Sequence, residues 1–339
     1  MMDKKTNKIE FIDWSKGIAI FLVVLGHALK CLPEPMNPVV KQIISLIYLV
    51  HMPLFFIIAG MLFSLNENKY KAIGFEPLLR KKSRLYLVPY VSFSILLYIM
   101  VEVGGQIQSL QSIINRIADP MSLQEFIFSL VTYQNHMDGH LWFSYVMFVV
   151  LMVALLLINI QDKYILIELY ILYVFTFYFT LPEVVWKSMR YLFLFYIGKL
   201  IYRTWYKLKK AKLIYYISAF VVTDGIYLIL RATGNPVMGF VKPFAEVTSS
   251  CIILIILSRL KNNRMTDFFD RLGKESYAIY LFHQPYIVPP IMALLGKNGY
   301  MYIVAIVIST VLGIVVPIVI NDRIIAKRKL LRFLCLGES

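Results

Sequence analysis

The residues best equipped for chemistry fall in one short apolar stretch that runs from Ile12-Asp13-Trp14-Ser15-Lys16 to Leu25-Gly26-His27. It carries an acid, a base and an imidazole: Asp13, Lys16 and His27. On a helix Asp13 and Lys16, three apart, share a face. Lys16 and His27 are eleven apart, close to three whole turns, so the imidazole stands above the lysine, roughly 16 Å along the axis. Ionisable groups in an apolar helix are costly and turn toward a cavity or a partner. An imidazole takes a hydroxyl proton near neutral pH, which suits group transfer to an alcohol. The plainer alternatives are a neutralising Asp13–Lys16 pair with a snorkelling lysine stem, and a histidine that only bonds a neighbouring helix.

Four further histidines bear on the same question. His51 and His283 each precede a proline by two residues in an apolar run, Tyr48-Leu49-Val50-His51-Met52-Pro53 and Tyr280-Leu281-Phe282-His283-Gln284-Pro285. A proline there removes a backbone donor and frees a carbonyl near the imidazole. His136 and His140 have i, i+4 spacing with Asp138 between them, but they read as loop, so no metal site is expected. Glu102, Glu168, Asp224 and Glu246 lie in or near other apolar runs and could also face a cavity.

The elements that position these groups follow from composition. The 339 residues are 59% hydrophobic and 16% charged, with mean hydropathy +0.68. Soluble domains carry nearer a quarter charged residues, so the expectation is an all-α integral membrane protein. Ten spans are expected, at about 11–31, 40–64, 84–103, 140–159, 163–181, 187–203, 212–231, 238–258, 273–295 and 300–321. The first reads as a retained helix after about ten cytoplasmic residues, since no small-residue cleavage site follows it. The whole chain, 1–339, reads as one polytopic domain of the cell membrane.

The net charge of +15 is assigned to topology and not to a nucleic acid. Twenty-five lysines and arginines fall on one side of the ten spans, and eight on the other: Lys30, Lys41, Arg116, Lys187, Arg190, Arg231, Lys242 and Lys297. That asymmetry puts both termini in the cytoplasm. The segment 104–139 is then one long outer loop. Ile107, Leu110, Ile114 and Ile117, and then Leu123, Phe126, Ile127 and Leu130, recur in it at helical spacing, as two short helices that lie at the interface or cover a cavity. Cys31, Cys251 and Cys335 are widely spaced and odd in number, which fits packing residues and no disulfide framework. The basic run Arg80-Lys81-Lys82-Ser83-Arg84 is either topological or a grip for the phosphates of a cytoplasmic donor.

Three stretches together resemble the acyltransferase 3 family of integral membrane acyltransferases. In the first helix, Lys16, ten residues and His27 stand where the family has an arginine, ten residues and a histidine, and Asp13 stands at the family's aspartate. His51-Met52-Pro53-Leu54-Phe55-Phe56-Ile57-Ile58-Ala59-Gly60 is similar to its second helix. Leu272-Gly273-Lys274-Glu275-Ser276-Tyr277, followed by Tyr280-Leu281-Phe282-His283, is similar to its late helix, and Leu141-Trp142-Phe143 agrees more weakly. The resemblance implies transfer of an acyl group, usually acetyl from acetyl-CoA, to a hydroxyl of a carbohydrate or other envelope acceptor. It implies no permanently bound cofactor and His27 as the essential imidazole. Lys16 keeps the arginine's charge but loses its planar fork, in the manner of a sugar O-acetylase branch. On this reading Asp13 and Lys16 orient or balance charge, and Arg80, Lys81, Lys82 and Arg84 hold the acyl-CoA. His51, His283, Trp142, Tyr280 and Ser276 line the acceptor cavity. His27 takes the hydroxyl proton or carries the acyl group covalently. The competing reading of the same helices is a multipass transporter or flippase of a small polar or acylated substrate.

Overall fold

The computed structural model describes residues 10–108, 111, 114, 118–134, 136–296 and 298–338. Lys4, Lys5, Lys8, Leu110, Arg116, Ile117 and Lys297, on which parts of the charge count and of the first loop helix rest, lie outside them. The described residues are helical and contain no strand. The helices are α1 (Glu10–Lys30), α2 (Pro38–Leu65), α3 (Glu67–Ile73), α4 (Phe75–Gly104), α5 (Leu123–Thr132), α6 (Trp142–Leu156), α7 (Asp162–Phe175) and α8 (Glu183–Lys210). They continue as α9 (Leu213–Ala232), α10 (Met238–Leu257), α11 (Arg264–Lys274), α12 (Ser276–His283), α13 (Val288–Leu295), α14 (Gly299–Ile320) and α15 (Lys329–Leu336).

Six of the described helices are long and apolar enough to cross a membrane: α1, α2, α4, α9, α10, and α14 with the π-turn that extends it to Ile325. The pair α12 and α13, bent by 50° at its break, makes a seventh if counted as one span. Each of the other three expected spans also falls on a helix. α6 and α7 have only 15 and 14 residues, about 21–23 Å at 1.5 Å per residue. α8 is long enough but carries Lys187, Arg190, Lys199 and Arg203. The protein is therefore a helical membrane protein. Its outer helices fit that solvent: Ile303, Val307, Val311, Val315 and Val319 form an exposed apolar stripe along α14, stable where lipid and not water surrounds it.

The first helix occupies the centre. α1 packs against α2, α10, α11, α12, α13 and α14. Two crossings bring backbones into direct contact. A methyl on Gly60 would lie 1.9 Å from the Phe195 carbonyl oxygen, and one on Gly198 2.0 Å from the Ile57 carbonyl oxygen, so α2 and α8 meet glycine to backbone in both directions. α1 and α11 meet the same way through Gly17 on Phe269 and Gly273 on Asp13, at 2.1 and 1.9 Å. Small residues at such crossings replace the hydrophobic drive that lipid does not supply.

Helix ends are set locally. Asn37 accepts the Val39 N–H at 2.8 Å and Pro38 opens α2. Ser122 and Glu125 form a capping box that starts α5 inside the long loop. Phe126 of α5 stacks on Tyr98 of α4 at 4.3 Å, and Tyr90 and Tyr145 donate to the Leu130 and Val131 carbonyls. Cys31 departs from the packing expectation. It sits exposed just beyond α1, while Cys251 and Cys335 are half-buried.

α7 and α8 are joined by charge. Lys199, fully buried, donates to Asp162 at 2.8 Å, and Arg203 bridges Asp162 and Glu67 at 2.6 and 2.7 Å. Removing one partner of a buried pair strands the other. Lys199→Ala is expected to cost about 3 kcal/mol and to lower the thermal midpoint of the purified protein in detergent. The combined variant Lys199→Met with Asp162→Asn should recover much of that loss.

Candidate active site between the first, second, sixth and twelfth helices

Two cavities meet inside the bundle. The larger, about 580 Å³, is lined by Lys16, Lys274, Arg332, Glu275, Ser276, Tyr86 and Tyr277, with an apolar wall that includes Ile20, Phe55, Ile58 and Phe143. The smaller, about 350 Å³, is lined by His27, His51, His140, His283, Tyr48, Trp142, Lys30 and Glu246, among others. Val23, Met52 and Tyr280 belong to both walls. They form the boundary between a chamber at the Lys16 end of α1 and one at the His27 end.

The histidines come together in the smaller chamber. The ring of His27 lies 5.2 Å from that of His283, and His283 lies 5.5 Å from His140. His51 packs edge-on against Tyr48 at 4.5 Å, and Tyr48 faces His27 at 6.4 Å. Each neighbouring imidazole is oriented through Nδ1. His51 donates from Nδ1 to the Ile47 carbonyl at 2.6 Å, and His283 to Ile279 and Tyr280 at 3.0 and 2.8 Å. These carbonyls lie one turn back, and they are not the ones that Pro53 and Pro285 free. The proline echo in the sequence therefore marks the histidines without supplying their partners. His140 is held through Nδ1 by the Asp138 carboxylate. The Nε2 atoms of His140 and His283 are buried with no hydrogen-bond partner, which leaves their lone pairs for a ligand. His27 is half-buried, and neither of its ring nitrogens has a hydrogen-bond partner among the described residues.

The candidate residues divide between the chambers. Lys16 and Asp13 are ion-paired at 2.6 Å. Lys16 lines the larger chamber and Asp13 lines neither. The shared face of α1 thus serves two chambers in succession. Ser276 lines the larger one, its hydroxyl donated to the Gly273 carbonyl at 2.8 Å. Tyr280 stands at the boundary and donates to the His140 carbonyl at 3.0 Å. Trp142 lines the smaller chamber with its ring stacked on Tyr191 at 5.0 Å and Lys187 4.3 Å from the ring centre. Arg80, Lys81, Lys82 and Arg84 lie on α4 next to Leu85 and Tyr86, which line the larger chamber, but the four are not themselves in its wall. Arg80 is exposed and paired with Glu76, and Lys82 is half-buried over Tyr70.

Sequence reading passed over His140 as a loop residue. Its signal was Asp138 two residues away, a spacing that matters only once the loop folds the pair inward; Asp138 and His140 are both about 3% exposed. Of the four acidic candidates, Glu246 reaches the chamber, bonded by Tyr173 and Lys242. Asp224 is instead held by the Ser249 hydroxyl at 2.5 Å, and Glu168 is exposed. Among the described residues no group of three His, Cys, Asp or Glu is arranged to hold a metal.

His136, outside the helices, stacks on Tyr133 at 4.7 Å, and burial pushes its pKa below the ordinary histidine value. The unfolded loop then binds the proton first, so stability rises with pH in the window below about 6.5 and falls as the medium is acidified through it. The protection factors of the amides around His136, taken relative to the intrinsic exchange rate at each pH, should fall as pH drops below that value, and His136→Gln should flatten the dependence.

A family model described as an acyltransferase domain matches residues 9–322. The chain belongs to the acyltransferase 3 family. The match covers nearly the whole protein, including both chambers' α1, α2 and α12 residues. Membership supports membrane acyltransferase activity and favours it over the transporter reading. Neither curated proteins nor solved structures gave a significant match.

Proposed function

We propose that this protein is an O-acyltransferase of the plasma membrane that moves an acyl group, most simply acetyl, from an acyl-CoA to a hydroxyl of an envelope carbohydrate. The observation that supports this reading is the pair of chambers that share Val23, Met52 and Tyr280, one lined by Lys16, Ser276 and Tyr277 and one lined with imidazoles. The ten helical segments are read as ten spans of a single polytopic domain with both termini in the cytoplasm, which places the Lys16 chamber on the donor side. There Lys16 balances charge with Asp13, and Arg80, Lys81, Lys82 and Arg84 meet the coenzyme phosphates. The thioester reaches the boundary at Tyr280. The acceptor lies against His27, with His51, His283 and Trp142 in its wall.

His27 accepts the hydroxyl proton as the oxygen attacks the thioester carbonyl. The C–S bond breaks, and the proton passes to the departing thiolate. A second assignment has one specific observation behind it. His140 is the one imidazole among the described residues whose Nδ1 is held by a carboxylate, the arrangement that fixes a base in the right tautomer. Purified protein in nanodiscs, given acetyl-CoA and a panel of envelope sugars, tests the activity by thiol release and acetylated product. Release that does not depend on any acceptor hydroxyl would overturn the reading. Lys16→Met should lower the rate about tenfold or more, and Lys16→Arg should retain it, because the position needs charge against Asp13.

A further inference from the structure

The smaller chamber carries more positive charge than its acids balance. Lys30, Lys187, Arg190 and Lys242 all line it, with Glu246 as the acid in its wall. Glu246 is engaged by Lys242 at 3.5 Å, and Lys187 is paired with Glu183. Lys30 and Arg190 have no carboxylate within ion-pair distance among the described residues. Lys30 lies 4.1 Å from the centre of the Tyr48 ring, and Arg190 is held by the Thr176 hydroxyl and the Phe177 ring. Two cations, Lys30 exposed at the end of α1 and Arg190 half-buried, therefore face a chamber walled by aromatic rings.

Topology does not account for them. On the orientation proposed above, these four are half of the eight cations on the outer side, the side that the positive-inside bias depletes. They come from α1, α8 and α10, so no single basic run in the sequence gathers them. A chamber of this size suits one sugar ring or a short glycan segment and is small for a whole coenzyme with nucleotide and pantetheine. A half-buried cation such as Arg190 is costly until an anion arrives, and a carboxylate or phosphate forms charge-assisted bonds with lysine and arginine.

We infer that the His27 chamber is built for an anionic acceptor, a hydroxyl-bearing glycan that carries a carboxylate or phosphate close to the hydroxyl it presents. The inference rests on the acyltransferase reading for its word acceptor, and on the chamber alone for its charge. The anionic group sits between Lys30 and Arg190, and the hydroxyl then faces the imidazoles of His27 and His283.

Binding separates the two claims, because it needs no turnover. The full chain in nanodiscs of neutral lipid, without acyl donor, is titrated calorimetrically with two matched pairs. The first is trigalacturonate against its carboxyl-reduced counterpart. The second is a glycerol phosphate oligomer against the corresponding polyglycerol. The charged member of at least one pair should bind about tenfold more tightly, with affinity that falls as salt rises. Which pair shows it identifies carboxylate or phosphate. Lys30→Gln should erase the preference and Lys30→Arg keep it, while Lys41→Gln, at an exposed pair with Glu34 outside the chamber, should leave it unchanged. Equal binding of charged and neutral members in both pairs overturns the inference, as does a preference that survives Lys30→Gln together with Arg190→Gln. Anion-selective binding with no acyl transfer keeps the inference and sinks the acyltransferase reading. Transfer that ignores acceptor charge does the reverse.

Discussion

His27→Ala is expected to lower acceptor-dependent thiol release by about a factor of 10³, while the protein should keep its yield, its thermal midpoint and its binding of acceptor. The size follows from general base catalysis, which contributes about 10²–10⁴. The small structural cost follows from the site. His27 makes no hydrogen bond to the rest of the described protein, and its ring opens on a chamber, so its loss strands no buried partner. His140→Ala is the decisive comparison. That change leaves the buried Asp138 carboxylate without its imidazole, so it should lower the thermal midpoint as well as the rate. If His140→Ala lost only rate and His27→Ala lost nothing, the base would be His140. If a folded His27→Ala turned over acceptor at the wild-type rate, the imidazole would have no part in the proton transfer.

The second large effect is structural. Gly60→Val should prevent the protein from accumulating in the membrane, or leave it unfolded in mild detergent. The Cβ alone would meet the Phe195 carbonyl oxygen at 1.9 Å. No rotamer relieves a contact between a Cβ and backbone, so α2 and α8 would have to part. Opening that crossing disturbs the buried Lys199–Asp162 pair that joins α8 to α7 nearby, which adds pairing losses to the lost packing, several kcal/mol together. Gly225→Val is the control. Nothing lies within 4 Å of a methyl placed there, so it should change stability only by the small helix-propensity difference, which favours valine over glycine, and fold normally. Equal yields of the two variants would mean that the α2–α8 contact is looser than it stands here. Gly60 also sits in the same helix as His51, so the crossing that holds the bundle holds one wall of the imidazole chamber.

These two outcomes come from different readings of one chain. A membrane protein, helical and built around its first span, was legible in sequence because lipid imposes a single rule. Backbone polar groups must be satisfied internally, so long apolar runs become helices. Asp13, Lys16 and His27 stood out for the complementary reason, that charge in such a run is expensive. The spacing of Lys16 and His27 also survived, since 3.6 residues per turn is a local property. What spacing could not supply was the boundary between them: Val23, Met52 and Tyr280 come from three helices and turn one face into two chambers. The inward turn of Asp138 and His140 was not legible for a related reason. Loop residues have no periodicity to announce it, and both side chains are buried.

The basic residues show the division most plainly. The sequence by itself determined how many cations there are and on which segments they fall, and the family motif determined that this is a membrane acyltransferase. The tertiary structure alone decided that Lys30, Lys187, Arg190 and Lys242 converge on one chamber while the Arg80–Arg84 run stays on the outside of another. Charge is additive along a chain, but its effect depends on distance and on burial. Both are set by which helices pack together, and that depends on contacts such as Gly60 on Phe195 that no local pattern announces.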